Sequence, residues 1–158
     1  MKLNRMLLVV AGLAVCRLAG AAGLQWYEAG DWATLRGQHA SAPWVVHFWG
    51  MSCSPCRQEL PAWSRFIRDH PDARVTFIEV EQADPSAVQA VLEKAGLAES
   101  DQRLSSDGFD VAERYAIDRR WHGETPMTLL ISPDGQAQKV TGTMDFDRLT
   151  AWTGLDRP

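Results

Sequence analysis

The stretch that most constrains this chain is Pro43 to Pro61, PWVVHFWGMSCSPCRQELP, where a short apolar run meets two cysteines at i and i+3 and then a helical pattern. Val45, Val46, Phe48 and Trp49 give the run the β-branched and aromatic content of a strand buried on both faces, as in parallel sheets. Beyond the cysteines, Leu60, Trp63, Phe66 and Ile67 recur at the spacing of one helical face. Strand, tight turn and helix therefore follow in immediate succession, and Cys53 falls at or just before the helix N-terminus. Pro55 belongs to the first helical turn, where its missing N–H costs little, and Pro61 inside the pattern predicts a kink.

Several uses of two such cysteines fail on their spelling. The spacing closes too small a loop to constrain the unfolded chain much, so a structural staple has little energetic reason. A zinc site wants four ligands, and there is no second C-x-x-C and no histidine pair at finger spacing. A c-type haem site wants His directly after the second cysteine, and that position is Arg57. Redox chemistry remains. Unpaired N–H groups and the dipole at a helix N-terminus favour an anion, which for Cys53 is the nucleophilic thiolate. Cys56 sits one turn in on the same side, close enough to resolve a mixed disulfide.

Further along, the pattern alternates between strand and helix. Val75, Phe77, Ile78 and Val80 mark a strand. Asp84 is a helix N-cap with Pro85 at the first helical position, and Val88, Val91, Leu92 and Ala95 follow at helical spacing until Gly96 stops it. A shorter helical pattern runs through Val111, Ala112 and Tyr115. TPMTLLI reads as a strand led by Pro126, SPDG (Ser132 to Gly135) as a turn into a second strand near Gln138 to Val140, and Asp145 as the cap of a last helix burying Phe146, Leu149 and Trp152. The alternation predicts an α/β domain over residues 23–158, without internal repeats or linkers.

Residues 1–22 stand apart. MKLNR is a positive n-region, MLLVVAGLAV an apolar h-region, and LAGAAG a small-residue segment around Ala19 and Ala21, which reads as a signal peptide or an N-terminal membrane anchor. Cys16 adds a lipoprotein reading, weakened by Val15 where a small residue is wanted. A periplasmic or otherwise extracytoplasmic location follows, and removal of the leader leaves Cys53 and Cys56 as the cysteine pair. With 46% hydrophobic and 23% charged residues in 158, the chain can bury a real core. Its formal net charge of −4 and scattered basic residues argue against nucleic-acid binding.

FWGMSCSPCRQELP resembles the active-site segment of thioredoxin-fold proteins, and most nearly the exported TlpA/ResA-type thiol–disulfide reductases with their F-W-A-x-W-C-x-P-C-R-x-E-x-P pattern. TPMTLLISPDGQAQKVTGTM, Thr125 to Met144, is similar to the P-T-T-F-L-I-D-x-x-G-x-V hairpin of the same family. The likeness runs from about Trp26 to the C-terminus. It implies a thioredoxin-like fold, a central mixed sheet flanked by helices, with a cis Thr125–Pro126 bond that shows the backbone of Thr125 to an extended substrate beside the reactive sulfur. It implies Cys53 and Cys56 as catalytic residues, no metal, and no cofactor beyond the redox-active pair. The implied partners are disulfide-containing exported proteins, apocytochrome c among them, and a membrane thiol electron donor, with the protein itself a monomer.

Departures from the family pattern mark further candidates. Ser52 stands where the family carries Trp, opening the surface around Cys53, and its hydroxyl is placed to hydrogen-bond the thiolate or simply to be tolerated on an exposed turn. His47, six residues before Cys53, holds the place of a buried acid in thioredoxin. It is a candidate acceptor for the Cys56 proton or a neutral core histidine. The segment Asp118 to Glu124 lengthens the loop before Pro126, making Trp121 and His122 a candidate lip against a partner, or a solvated loop. In the family this chain resembles, an acid near the end of the strand at Val75 tunes the cysteines; Glu81 and, less well, Glu79 are the nearest matches, with Glu81 otherwise an ordinary surface residue at a strand end. Trp49, Ser52, Trp121, Thr125 and Pro126 are thus the candidate substrate contacts, with His47 and Glu81 in support.

The expected function is reduction of disulfides in exported proteins. A disulfide-forming oxidase would use the same atoms in reverse, but with a large helical insertion and a His between the cysteines, where this chain has Ser54–Pro55. A copper chaperone on this fold needs C-x-x-x-C with a distant His, and a peroxidase needs a T-x-x-C context that is absent.

Overall fold

A computed structural model describes residues 23–155, so the leader over residues 1–22 lies outside the described residues. The elements run β1 (Gly23–Tyr27), α1 (Asp31–Gln38), β2 (Trp44–Trp49), α2 (Ser54–Asp69), β3 (Val75–Glu79), α3 (Pro85–Ala95), β4 (Asp101–Ser105), α4 (Val111–Ile117), β5 (Met127–Ile131), β6 (Ala137–Thr141) and α5 (Phe146–Thr153). Among the described residues they build one mixed six-stranded sheet in the order β1-β4-β3-β2-β5-β6, parallel from β1 to β2 and antiparallel through β5 and β6. This is the thioredoxin-like α/β arrangement.

The apolar run becomes the strand on which both halves of the sheet meet. All six residues of β2 are buried, because β3 and β5 flank it and helices cover both faces. Its alternation divides the core. Val45 and Trp49 join Leu60, Trp63, Phe66, Phe77 and Leu92 on the α2 side, whereas Trp44, Val46 and Phe48 join Tyr27, Trp32, Phe109, Ile117 and Trp121 on the other. Trp49 is fully buried in the first of these clusters. Its expected substrate contact is therefore corrected: the ring packs in the cluster that also holds Cys56, beneath Cys53, and presents no surface to a substrate.

Local signals match the elements they predict. Asp84 caps α3 through Ala87 N–H with Pro85 in the first turn, and Gly96 ends the helix at φ +77°. Asp145 caps α5 by accepting from the N–H groups of Asp147 and Arg148. Helix α2 continues through Pro61. In α4, however, Val111 and Tyr115 are exposed and Ile117 is the apolar residue that enters the core. Glu113 is buried on the same helix, where it accepts hydrogen bonds from the Tyr27 hydroxyl and from Gly30 N–H. This carboxylate joins α4 to β1 and to the start of α1, whose N-cap has no side-chain hydrogen bond of its own.

Burial and the Glu113 carboxylate hold the Tyr27 hydroxyl protonated far beyond its ordinary range. Tyr27→Phe removes the donor and leaves a buried carboxylate oxygen unserved, which is expected to destabilise the fold by about 1–3 kcal/mol. Urea unfolding should show a lower midpoint at an unchanged slope.

Candidate active site

The end of β2 delivers the chain into a turn whose backbone is almost fully committed. Cys53 is the N-cap of α2: its N–H donates to Gly50 O at 3.2 Å, and its Sγ accepts from Cys56 N–H at 3.2 Å. Cys53 and Cys56 are joined in a disulfide with Cα atoms 5.3 Å apart, well inside the range such a bond allows. The two sulfurs differ in access, with Cys53 half-buried and Cys56 fully buried. A sulfur released at Cys53 thus faces both solvent and the helix N-terminus, which favours the thiolate.

Two carboxylates from the end of β3 hold the residues before Cys53. Glu81 accepts from Ser52 N–H and from Ser52 Oγ–H, each at 2.7 Å. The Ser52 hydroxyl is therefore spent on Glu81. Glu79 is fully buried and accepts from Glu81 N–H at 3.1 Å, with longer contacts of 3.4 Å to the N–H groups of Met51 and Ala83. Burial pushes the Glu79 carboxyl up, opposed by these N–H groups. Of the two acids, Glu79 is the one enclosed at the strand end, while Glu81 is exposed and reaches the turn through Ser52. Gly50 makes room for this clamp, since a Cβ there would lie 2.1 Å from Glu81 Oε1.

Beneath the cysteines lies a buried polar pair. His47 is fully buried, with Nδ1 at 2.9 Å from Thr128 Oγ1 across the strand pair and its ring against Trp63 and Phe77. Its Nε2 faces Glu59 Oε2 at 3.8 Å. Burial pushes the His47 imidazole down to about 3 and the Glu59 carboxyl up, the latter opposed by the Met144 N–H, which donates to Glu59. The imidazole is therefore neutral at ordinary pH. Glu59 was not among the sequence candidates, although it stands in the R-x-E part of the CRQELP segment. Helical spacing puts it one turn beyond Cys56 on the buried face of α2.

The opposite wall comes from the start of β5. The Thr125–Pro126 bond is cis, Thr125 is half-buried, and Pro126 O accepts from Gly142 N–H at 2.8 Å. Pairing of Phe48 with Met127 sets Pro126 across from the end of β2. Trp121 is not a lip. It is 4% exposed, packs on Phe48 and Phe109, and donates its indole N–H to Glu124 O at 2.9 Å. The large apolar ring gains more by filling the second core cluster than by standing in water. Lys139 ties the same loop to β6 through Asp118 Oδ1 and Arg120 O. His122 is exposed. Among the described residues no group of three or more His, Cys, Asp or Glu side chains is placed to hold a metal ion.

His47 also has a consequence for acid stability. The unfolded chain binds a proton there below its ordinary value of 6.5, whereas the folded chain does so only near about 3. Between these values the unfolded state takes up the proton, so folding stability is lost as pH falls through this window. His47→Gln is expected to flatten that acid limb, measured as the change in urea midpoint between neutral and mildly acidic buffer.

Comparison with known proteins agrees with this geometry. Relatives include sporulation thiol-disulfide oxidoreductase A of Bacillus subtilis, 29% identical over 129 residues, covering 76% of this chain and 74% of that protein. Another is thiol-disulfide oxidoreductase ResA of Halalkalibacterium halodurans, 29% identical over 115 residues, covering 72% of this chain and 61% of the relative. Among solved structures, a secreted Mycobacterium tuberculosis disulfide oxidoreductase homologous to Escherichia coli DsbE shares the fold with a TM-score of 0.60 at 24% identity, over 75% of this chain and 85% of that one. StoA from Bacillus subtilis does so with a TM-score of 0.54 at 22% identity, over 72% and 84%. The family model of the AhpC/TSA family matches residues 25–140, most of the described fold with β2, the cysteine turn and the β5–β6 hairpin, and the chain belongs to that family.

Proposed function

We propose that this chain is a thiol–disulfide oxidoreductase that reduces disulfides of exported proteins through Cys53 and Cys56. The observation that carries the reading is the asymmetry of the pair: Cys53 caps α2 within reach of solvent, and Cys56 is buried one turn behind it. The names of the relatives support the same chemistry.

In the reduced protein the Cys53 thiolate attacks one sulfur of a client disulfide. A mixed disulfide forms, the other client sulfur leaves as thiolate and takes a proton from solvent. Cys56 then gives its proton to the Glu59 carboxylate and attacks Cys53 Sγ. The Cys53–Cys56 bond closes, the second client sulfur leaves with the electron pair of the broken bond, and the client has gained two electrons. Glu59 suits this transfer because it lies one turn from Cys56 and burial raises its carboxyl above the ordinary carboxylate value, making it a better proton acceptor. Ser52 and Thr125 form the rim a client backbone meets, with the buried Pro126 behind Thr125 setting its direction, and Glu81 holds that rim by its clamp on Ser52.

Clients include apocytochrome c, and a membrane dithiol donor restores the reduced pair. The leader at residues 1–22 exports the domain or anchors it outside the cytoplasm. Among the described residues no helix is long and apolar enough to cross a membrane. The pair needs no cofactor, and the domain acts as a monomer.

Cys56→Ser leaves Cys53 unable to release its client. Expressed with its leader, this variant should accumulate mixed disulfides with exported proteins, visible on non-reducing gels and identifiable by mass spectrometry; a clean variant with no adduct counts against the reading. Direction is tested by the reduction potential: a value of about −270 mV or lower fits a reductase, and about −120 mV makes the chain an oxidant. Glu59→Gln is expected to slow closure of the mixed disulfide about 100-fold, followed by stopped-flow release of a fluorescent thiol from Cys53.

A further inference from the structure

His47 has one ring nitrogen engaged and the other aimed at an acid. Nδ1 is paired with Thr128 Oγ1, while Nε2 and Glu59 Oε2 face each other and have no hydrogen-bond partner among the described residues. Both side chains are enclosed, His47 at 0% and Glu59 at 6% exposure. A buried imidazole nitrogen and a buried carboxyl oxygen are costly to leave unserved, and at 3.8 Å they lie just beyond hydrogen-bond distance, close enough that a small side-chain adjustment lets them share a proton; the Trp63 indole N–H is a third buried group there without a partner among the described residues. Two arrangements satisfy both atoms. One is an imidazolium–carboxylate ion pair; the other is a neutral carboxyl donating to a neutral imidazole.

The surroundings select the neutral form. Around the ring, α2 contributes Glu59 and Trp63, β3 contributes Phe77 and β5 contributes Thr128, and Met144 N–H reaches Glu59 from the segment before α5. Glu59 is the titratable side chain among these groups, and two aromatic rings take the place of water. An ion pair there would carry the desolvation cost of both charges. Burial moves both groups toward their neutral states. Thr128 Oγ1 can accept from Nδ1–H, and in that tautomer Nε2 keeps its lone pair for Glu59.

We propose that His47 is a positioning residue whose Nε2 accepts a hydrogen bond from the protonated Glu59 carboxyl, holding there the proton that Cys56 surrenders when the Cys53–Cys56 disulfide closes. This rests on the reading in which Glu59 accepts the Cys56 proton. The balance is simple. Closing the disulfide moves one proton from Cys56 Sγ to Glu59, and reopening it by an external dithiol returns that proton to the Cys56 thiolate. The disulfide form in this structure is the state in which Glu59 holds the proton and His47 steadies it. Thr128 serves Nδ1 from the far side of the ring and accommodates the tautomer in which Nδ1 carries the hydrogen.

The first test is nitrogen-15 NMR of the protein in both redox states, with His47→Gln used to assign the signals. In the disulfide form Nδ1 should be protonated and Nε2 bare but hydrogen-bonded, and reduction should move the Nε2 shift toward that of a free lone pair. A protonated Nε2 in the disulfide form, or an Nε2 shift indifferent to reduction, overturns the proposal. The second test is kinetic. His47→Leu should slow closure of the mixed disulfide about tenfold relative to attack by Cys53, the worth of one hydrogen bond, and His47→Gln should recover most of that loss because its amide oxygen can accept from Glu59. Closure in the Leu variant at the wild-type rate also overturns it. If the wild-type pair fails to cycle at all, the oxidoreductase reading itself falls. Should the Leu variant fail to fold, the NMR result on the wild-type protein decides alone.

Discussion

The rest of the described structure depends on the complete burial of β2. A strand flanked by strands on both sides and covered by helices on both faces has no surface except at its ends. Functional groups reached through it must gather where it stops, and Cys53 lies just beyond Trp49. The same burial brings the neighbours. Parallel pairing with β3 puts Glu79 beside Trp49, and antiparallel pairing with β5 puts Pro126 across from the strand end. Helix α2 leaves the turn at once and supplies Cys56 and Glu59 from one face.

Four of the eight buried polar side chains among the described residues gather around this junction. His47, Glu59, Glu79 and Thr128 are all enclosed, each at a cost that apolar residues would avoid. Glu113 offers the contrast, because its oxygens are served by Tyr27 and Gly30 and its work is to join elements. The His47–Glu59 pair lacks that completeness, and incomplete satisfaction next to a redox-active disulfide is where function and stability pull apart.

Much of the fold was legible in particular residues. Asp84 with Pro85, Gly96 and Asp145 each act on the backbone within a few positions, and each marks its helix end as expected. The two tryptophans were misplaced for a different reason. Trp49 sits in a strand buried on both faces, where alternation cannot say which side is the surface, and Trp121 sits in a polar loop whose neighbours in sequence say nothing of Phe48 and Phe109. Glu59 was overlooked because a Glu three residues after a cysteine reads as an ordinary solvated position of a helix. Its burial comes from Met144 and His47, which are distant in sequence.

The sequence by itself determined the strand–turn–helix junction, the spacing of Cys53 and Cys56, the helix caps and the alternation that makes an α/β sheet. Those features are local: backbone sterics, unpaired N–H groups and periodicity act over a few consecutive residues. Tertiary structure decided which sulfur is reachable, which of Glu79 and Glu81 is enclosed, that Ser52 is held by Glu81, and that His47 meets Glu59. Such choices depend on desolvation and on partners brought together from separate strands and helices, and neither quantity is defined until the sheet has closed around β2.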